Sequence, residues 1–307
     1  MSDTIKVTEK LLRKFFEIYK QIYETPLMSQ NQIARNTGIP RGSVSRYLEK
    51  MYERSIIKGP QIFVKPAQNY HLYASFCQFE DPYAVYRGLK GLPHVLYRSW
   101  GCGQWNITLI SDTMMNLPLL KGFQTCIHQS VKSVTYLPKV TSLNWDKSMK
   151  KIQQMISTPK KKTTFYEEIP SNPWNNQEWV LYNEFKDNTR VQALPILKKN
   201  RIRYETVEKW FSELPQYTNS HASFYPQGVS NYFASDFLFK SDYHRQLADI
   251  LGLLPSTSVF FSVDHYLLAR LYVLIKEEEN DLFSLLNQLK EKGYFTDLHY
   301  ARALFAW

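Results

Sequence analysis

The chain has 307 residues, 44% of them hydrophobic and 21% charged, which is the composition of a globular protein of about two domains. Lysine and arginine number 38 against 28 aspartate and glutamate, and this net charge of +10 indicates nucleic acid or another polyanion as the partner. The three scattered cysteines exclude a disulfide framework, and the lack of a signal-like start or of an apolar stretch long enough for a bilayer predicts a cytoplasmic protein.

The N-terminal region contains the pattern of a helix-turn-helix. Residues 8–24 predict an amphipathic helix, and it covers two shorter helices predicted within Ser29–Met51. Gly38 supplies the turn, and the second of these helices starts near Pro40. Its buried stripe comprises Val44, Leu48 and Met51. Its opposite face carries cations and small hydroxyls, which suit the DNA major groove: Arg41, Ser43, Ser45, Arg46 and Lys50.

Two short apolar runs follow on either side of Gly59-Pro60 and predict a β-hairpin. Helices followed by a hairpin form a winged helix-turn-helix, which we expect over residues 1–66. Lys58 and Lys65 on this wing are predicted to contact phosphates. Residues 1–66 carry twelve Lys or Arg against six Asp or Glu, so this fifth of the chain holds +6 of the net charge. A solvated basic face is the alternative, but turn, stripe and charge together favour DNA binding.

Residues 67–143 alternate strands and helices in the order β-α-β-β-α-β. The predicted strands are 70–79, 94–100, 105–111 and 131–140, and the predicted helices are 82–89 and 117–129. This order predicts an α+β, ferredoxin-like sandwich with its helices on one face of an antiparallel sheet.

Together these two parts resemble the leucine-responsive regulator (Lrp/AsnC) family. The resemblance is carried by Ile33–Met51 and by the turn Gly103-Gln-Trp-Asn106, which is similar to the family's Gly-x-aromatic-Asp turn. It implies a DNA-binding transcriptional regulator that responds to a small-molecule effector, an amino acid or another metabolite. The effector contacts that it implies are Gly101, Gly103, Trp105 and Asn106. Asn106 stands where the family has Asp.

The second half of the chain repeats the first. A basic linker is predicted over 144–174, followed by a second winged helix domain over 175–230 and a second ferredoxin-like domain over 231–307. Ser43–Leu48 aligns with Thr206–Phe211 at an offset of 163. The predicted second reading helix is acidic, so we expect this copy not to read bases: it carries Glu205, Glu208 and Glu213. The two sandwiches are predicted to pair their edge strands within one chain, as a pseudo-dimer, and a further homodimer of such chains is left open.

No catalytic or metal-binding constellation is evident, so the sequence predicts a regulator that is not an enzyme and has no cofactor. Two alternatives remain open. The first is a siroheme-decarboxylase-like enzyme of haem biosynthesis, because those enzymes resemble this family; His71, His94 and Arg98 would then hold tetrapyrrole carboxylates. The second is a regulatory module whose helix-turn-helix contacts protein.

Overall fold

The computed structural model describes residues 8–306; residues 1–7 and 307, at the ends of the first and last predicted domains, lie outside the described residues. The helices are α1 (Glu9–Glu24), α2 (Gln30–Thr37), α3 (Arg41–Glu53), α4 (Pro82–Gly88), α5 (Trp145–Ile156), α6 (Asn176–Phe185), α7 (Ala193–Asn200), α8 (Tyr204–Tyr217), α9 (His244–Leu251) and α10 (Lys276–Glu291). The strands are β1 (Ile57–Val64), β2 (Leu72–Phe79), β3 (Val95–Gly103), β4 (Ile107–Ser111), β5 (Phe123–Lys132), β6 (Thr218–Phe224), β7 (Phe233–Lys240), β8 (Val259–Val263), β9 (Tyr266–Val273) and β10 (Asp297–Ala306).

Helices α1, α2 and α3 form what we call the N-terminal head. The hydroxyl of Ser29 caps α2 by accepting from the Gln32 amide at 3.2 Å, and Gly38 ends it in the left-handed region at φ 67°. Pro40 precedes α3 as its N-cap residue. The apolar faces of the three helices meet in one buried cluster, which includes Phe15, Ile18, Ile33, Val44, Leu48 and Met51. The helix-turn-helix geometry therefore follows from local sequence signals.

The wing is a correction to the sequence-based expectation. Residues 57–64 do not reverse at Gly59-Pro60; they form the single strand β1, which bulges between Lys58 and Gln61 and pairs with β6. The second winged helix domain, predicted over 175–230, likewise has one strand, β6, in place of a hairpin. Each turn-like signal marks a strand whose partner comes from the other half of the chain, and local pattern carries no information about such a partner.

The β1–β6 pair joins the N-terminal head to what we call the C-terminal head, helices α6, α7 and α8. Ile57 at the start of β1 packs into the N-terminal cluster together with Phe224 of β6, whereas Ile62 and Val64 pack into the C-terminal cluster. The Arg190 side chain crosses between the heads and donates to the carbonyls of Pro26 at 2.9 Å and Met28 at 2.7 Å. The heads are therefore one packed body.

The remaining strands close into an eight-stranded barrel of order β10-β3-β4-β2-β5-β8-β9-β7. Strands from residues 72–132 and from residues 233–306 meet along both edges, through β3–β10 and β5–β8. The fold class is mixed α+β, as predicted. The sequence also predicted two separate ferredoxin-like sandwiches, whereas the structure has one closed barrel. Closure removes the free strand edges, which would otherwise invite intermolecular pairing. The barrel interior is filled from both halves, by Ala74, Phe76, Trp105, Leu238, Phe261, Val263, Leu268 and Ala301.

The predicted helix at 117–129 is also wrong. The chain makes one 3₁₀ turn at Leu117–Leu119, and Gly122 then takes a positive φ of 77° before β5 begins. Thr125, Ile127 and Val131 in this segment are β-branched and favour a strand. Because β5 ends at Lys132, the strand predicted over 131–140 is irregular chain for most of its length.

Helices cover the two parts of the barrel unequally. The part built from β7, β8, β9 and β10 packs against α5, α9 and α10 in the largest apolar cluster. The part built from β2, β3, β4 and β5 is covered by α4 and the short 3₁₀ turn. Helix α5 lies in the segment predicted to be a linker. Among residues 8–306, no helix is both long enough and apolar enough to cross a bilayer.

Candidate nucleic-acid interface and a histidine-lined cleft

The outer face of α3 is open to solvent. Arg41, Ser45 and Arg46 are exposed, whereas Ser43 and Lys50 are half-buried. The guanidinium of Arg46 lies 5.7 Å from the centre of the half-buried Tyr47 ring. Arg41 and Arg46 form none of the ion pairs found among the described residues, so their charges are available to an external anion.

The Lys14 ammonium approaches the same Tyr47 ring, 5.8 Å from its centre. Residues of α1 and α3 thus place two cations around one aromatic side chain beside the reading face. The electron-rich face of the ring attracts both cations and so helps to hold them in position. The face can therefore present cations to phosphates and Arg side chains to base edges.

The two lysines predicted on the wing have other surroundings. Lys65 donates to the carbonyls of Pro215 and Gln216, at 3.5 and 3.4 Å, and so satisfies the C-terminal end of α8. Lys58 is an exposed residue as a whole, but its ammonium group is partly desolvated by the surrounding protein. This desolvation lowers the pKa of Lys58. Since β1 pairs with β6, neither lysine lies on a local hairpin, and phosphate contact by Lys58 and Lys65 stays a prediction.

The predicted effector turn makes contacts within the fold. A side chain at Gly101 or Gly103 would overlap the backbone of β10, so these glycines permit close strand approach. The Trp105 indole donates to Thr108 at 2.9 Å. The Asn106 amide bonds both the N–H and the carbonyl of Phe79, at 2.9 and 2.8 Å. The adjoining cavity of about 10 Å³ has room for roughly one water. Effector contact at this turn stays a prediction.

A larger cleft of about 420 Å³ opens at one end of the barrel. Three segments line it: the connector after α5, the loop between β7 and α9, and the turn between β8 and β9. The lining residues are Lys162, Thr163, Thr164, Ser241, Asp242, His244, Asp264 and His265. Sequence reasoning missed this site because its residues come from three segments, at 162–164, 241–244 and 264–265, that are far from adjacent in the chain. The only local signal is the pairing of Asp with His at 242–244 and 264–265.

Two imidazoles in this cleft differ in environment. His265 Nε2 lies 2.8 Å from Asp264 Oδ2 and is exposed. His244 is 3% exposed; its Nε2 donates to the His265 carbonyl at 3.2 Å, and its Nδ1 has no hydrogen-bond partner among the described residues. Burial lowers the pKa of His244, so the neutral ring keeps a lone pair on Nδ1. One carboxylate-oriented imidazole beside one neutral imidazole is an arrangement capable of acid–base chemistry.

The mouth of the cleft carries an ion pair. Lys162 Nζ lies 2.7 Å from Asp242 Oδ2, and this contact raises the pKa of the lysine and lowers that of the carboxyl. His128 of β5 continues the histidine cluster, with its ring centre 6.3 Å from that of His265. Within residues 8–306, no three His, Cys, Asp or Glu side chains converge closely enough to hold a metal ion.

The residues proposed for tetrapyrrole carboxylates lie apart from this cleft. His71 Nε2 is 3.0 Å from a Glu168 oxygen, and His94 Nδ1 is 2.8 Å from Asp112. The Arg98 guanidinium stacks 4.5 Å from the centre of the Tyr86 ring. The structure therefore clusters His128, His244 and His265 instead.

Comparison with known proteins adds two kinds of likeness. Residues 16–58 match a family described as winged helix-turn-helix DNA-binding. No curated protein matches the chain by sequence. A crystal structure of the siroheme decarboxylase NirDL is similar over 95% of this chain and 91% of its own, with a TM-score of 0.51 and 13% identity. NirDL in co-complex with an iron-uroporphyrin III analogue gives a TM-score of 0.50, also at 13% identity, over 95% of this chain and 92% of its own.

A structure of E. coli AsnC covers 39% of this chain and 89% of its own, at 15% identity and a TM-score of 0.32. The family match shows a winged helix-turn-helix DNA-binding domain at residues 16–58, and the fold of the chain is shared along 95% of its length with that of NirDL. This full-length likeness overturns the prediction that the chain is not an enzyme, because the fold as a whole is one that an enzyme has.

Proposed function

We propose that this chain binds double-stranded DNA through the N-terminal head and acts as a transcriptional regulator. The observation that carries the proposal is the exposed, unpaired cationic face of α3 within a segment that matches DNA-binding winged helices. Arg41 and Arg46 would contact base edges and Ser45 a phosphate. The net charge of +10 would assist association by attraction to the duplex.

Binding to duplexes selected by the chain from a random-sequence library tests this proposal. Each lost base contact is worth about 1–3 kcal/mol, so the Arg41→Ala, Arg46→Ala double variant should bind the selected duplex no better than a scrambled one. Lys90→Ala, Lys121→Ala removes the same charge from exposed turns outside both heads and is the matched control. Retained discrimination in the Arg41, Arg46 variant would refute the proposal.

We also propose that the two halves arose by tandem duplication, with boundaries at 1–66, 67–143, 144–174, 175–230 and 231–307. The offset of 163 supports it: Gly38 and Arg201 both end a helix with positive φ, at 67° and 53°. Val44 and Val207 at the same offset are both buried. In both halves a helix-turn-helix is followed by a strand of the β1–β6 pair and then by barrel strands. The first half lacks a counterpart of α10, so its ferredoxin-like order would be incomplete.

Catalysis in the histidine-lined cleft is a second candidate function. The oriented His265 beside the buried His244 supports it, as does the likeness to a siroheme decarboxylase along 95% of the chain. A decarboxylation breaks a C–C bond, releases carbon dioxide and leaves a carbon that must gain a proton. His265, held by Asp264, is positioned to deliver that proton at the cleft mouth. The substrate class would be a tetrapyrrole that carries carboxylate side chains.

Incubation with siroheme under anaerobic conditions, with products followed by mass spectrometry, tests the second candidate. The expected result is loss of carbon dioxide from siroheme, reduced by at least tenfold in His265→Ala, in line with the 10²–10⁴-fold typical of general acid–base groups. His299→Ala is the matched control, because His299 also pairs with a carboxylate, Asp297 at 3.4 Å, but does not line the cleft. Unchanged siroheme after incubation with the wild type would eliminate this candidate.

A further inference from the structure

The turn of the C-terminal head concentrates positive charge. Residues 198–203 read Lys-Lys-Asn-Arg-Ile-Arg, four cations in six residues with no carboxylate, and all four are exposed. Lys199 pairs with Glu184 at 2.7 Å, whereas no ion pair among the described residues includes Lys198, Arg201 or Arg203. Unpaired like charges this close repel one another, and an external polyanion would relieve the repulsion.

Arg201 occupies a backbone position that does not suit it. It ends α7 in the left-handed region, at φ 53° and ψ 41°, where the Cβ of a non-glycine residue crowds the backbone. The N-terminal head has Gly38 at the corresponding place, and in both heads a buried isoleucine follows, Ile39 or Ile202. Glycine would therefore serve the turn better. Strain of this kind is found where the side chain has a role.

The helix after this turn carries the opposite charge. Glu205 and Glu208 are exposed at the start of α8, at positions where α3 has Gly42 and Ser45. Carboxylates there are repelled by DNA, which disfavours insertion of α8 into a groove. The C-terminal head thus separates a cationic turn from an acidic helix, and only the turn suits the phosphate backbone.

The β1–β6 pair and Arg190 hold this turn in a fixed relation to the N-terminal head. An antiparallel strand pair has local two-fold symmetry, and two-fold pairs of helix-turn-helices address neighbouring parts of one duplex. We propose that the α7–α8 turn is a sequence-independent clamp for the DNA backbone, formed by Lys198, Arg201 and Arg203. Each chain then recognises an asymmetric DNA site: α3 contacts bases on one side, and the α7–α8 turn contacts phosphates on the other. This inference rests on the proposed DNA-binding function.

Salt-dependent binding to the selected duplex, measured by fluorescence anisotropy, tests the clamp. Each phosphate contact contributes about 0.9 to the slope of log affinity against log salt. The Lys198→Ala, Arg201→Gly, Arg203→Ala variant should lower that slope by roughly 2–3 while keeping its preference for the selected over the scrambled duplex. Lys90→Ala, Lys121→Ala should leave the slope unchanged. Ethylation interference should show phosphates needed on one side of the base-specific footprint.

Arg201→Gly alone separates a DNA contact from a structural role. Because glycine relieves the positive φ, this variant should melt at a higher temperature than the wild type and yet bind DNA more weakly. A wild-type slope in the triple variant, or an Arg201→Gly chain that loses both stability and affinity, would overturn the clamp. Failure of the wild type itself to discriminate the selected duplex would overturn the proposed function and the clamp with it.

Discussion

The two heads have the same helical framework and opposite surface chemistry. In each, an apolar stripe on the second helix of the motif is buried, Val44 and Met51 in one and Val207 and Leu214 in the other. The N-terminal head places glycine at the turn and arginines on the following helix, whereas the C-terminal head places arginine at the turn and glutamates on the helix. Packing constrains the stripe, but nothing inside the fold constrains the exposed positions.

This difference shows that the exposed residues of a helix-turn-helix can change while its buried residues stay apolar. The heads nevertheless depend on each other, because β1 contributes to both apolar clusters and β6, from the second half, contributes to the N-terminal one. Removing residues 1–66 would therefore take away half of the shared sheet and expose the C-terminal cluster. Point substitutions are the appropriate way to compare the heads.

The largest expected effect concerns that shared core. Phe224 belongs to the second half but is fully buried in the N-terminal cluster, with its ring 4.8 Å from that of Tyr19. Phe224→Ala should lower the free energy of unfolding by about 3–5 kcal/mol and weaken DNA binding by α3. Urea unfolding followed by tryptophan fluorescence measures the first effect. Phe233→Ala, at a half-exposed residue, is the control, and an equal loss in both variants would contradict a shared core.

An intermediate effect is expected from giving the C-terminal head the surface of the N-terminal one. Tyr204→Arg, Glu205→Gly, Glu208→Ser reproduces on α8 the pattern of Arg41, Gly42 and Ser45, and Lys209 already matches Arg46. Each new hydrogen-bonded base should strengthen binding to a two-fold symmetric duplex by about 1–3 kcal/mol. Glu205→Ala, Glu208→Ala removes the repulsion alone and should strengthen binding less. Unchanged affinity in both variants would show that α8 cannot reach the groove.

The smallest expected effect is a pH dependence between the heads. His221 of β6 stacks on Tyr23 with ring centres 4.7 Å apart, and burial lowers its pKa. Its folded pKa thus lies below the ordinary value of about 6.5, so the unfolded chain binds the proton more readily. Stability is full above pH 6.5 and falls as the pH drops toward the folded pKa.

Replacing His221 by Asn should flatten this acid limb of the stability profile without abolishing it, since His128 and His244 have pKa values lowered in the same direction. Thermal melts at pH values from 5 to 8 compare the variant with the wild type, and His94→Ala serves as an exposed-histidine control. Identical profiles for His221→Asn and the wild type would show that His221 has the same pKa in the folded and unfolded states, so that its burial does not contribute to the pH dependence.

The candidate sites were predictable to different degrees. The face of α3 could be read from the sequence because its residues lie on one helix, where spacing alone fixes which side chains share a face. The cleft could not, because His244 and His265 meet only after β7, α9, β8 and β9 have folded. The same holds for Cys77 and Cys126, which look scattered in the chain but bring their sulfur atoms within 3.6 Å on neighbouring strands.

The sequence by itself determined the elements that local chemistry controls. Capping, turn and periodicity signals sufficed for α1, α2 and α3, and for the strand–helix–strand order of residues 70–111. Only the tertiary structure decided the partner of β1, the strand at β5 and the closure of the barrel. The strand that pairs with β1 lies in the other half of the chain, and the burial that selects a strand over a helix at residues 123–132 exists only once the neighbouring strands are in place.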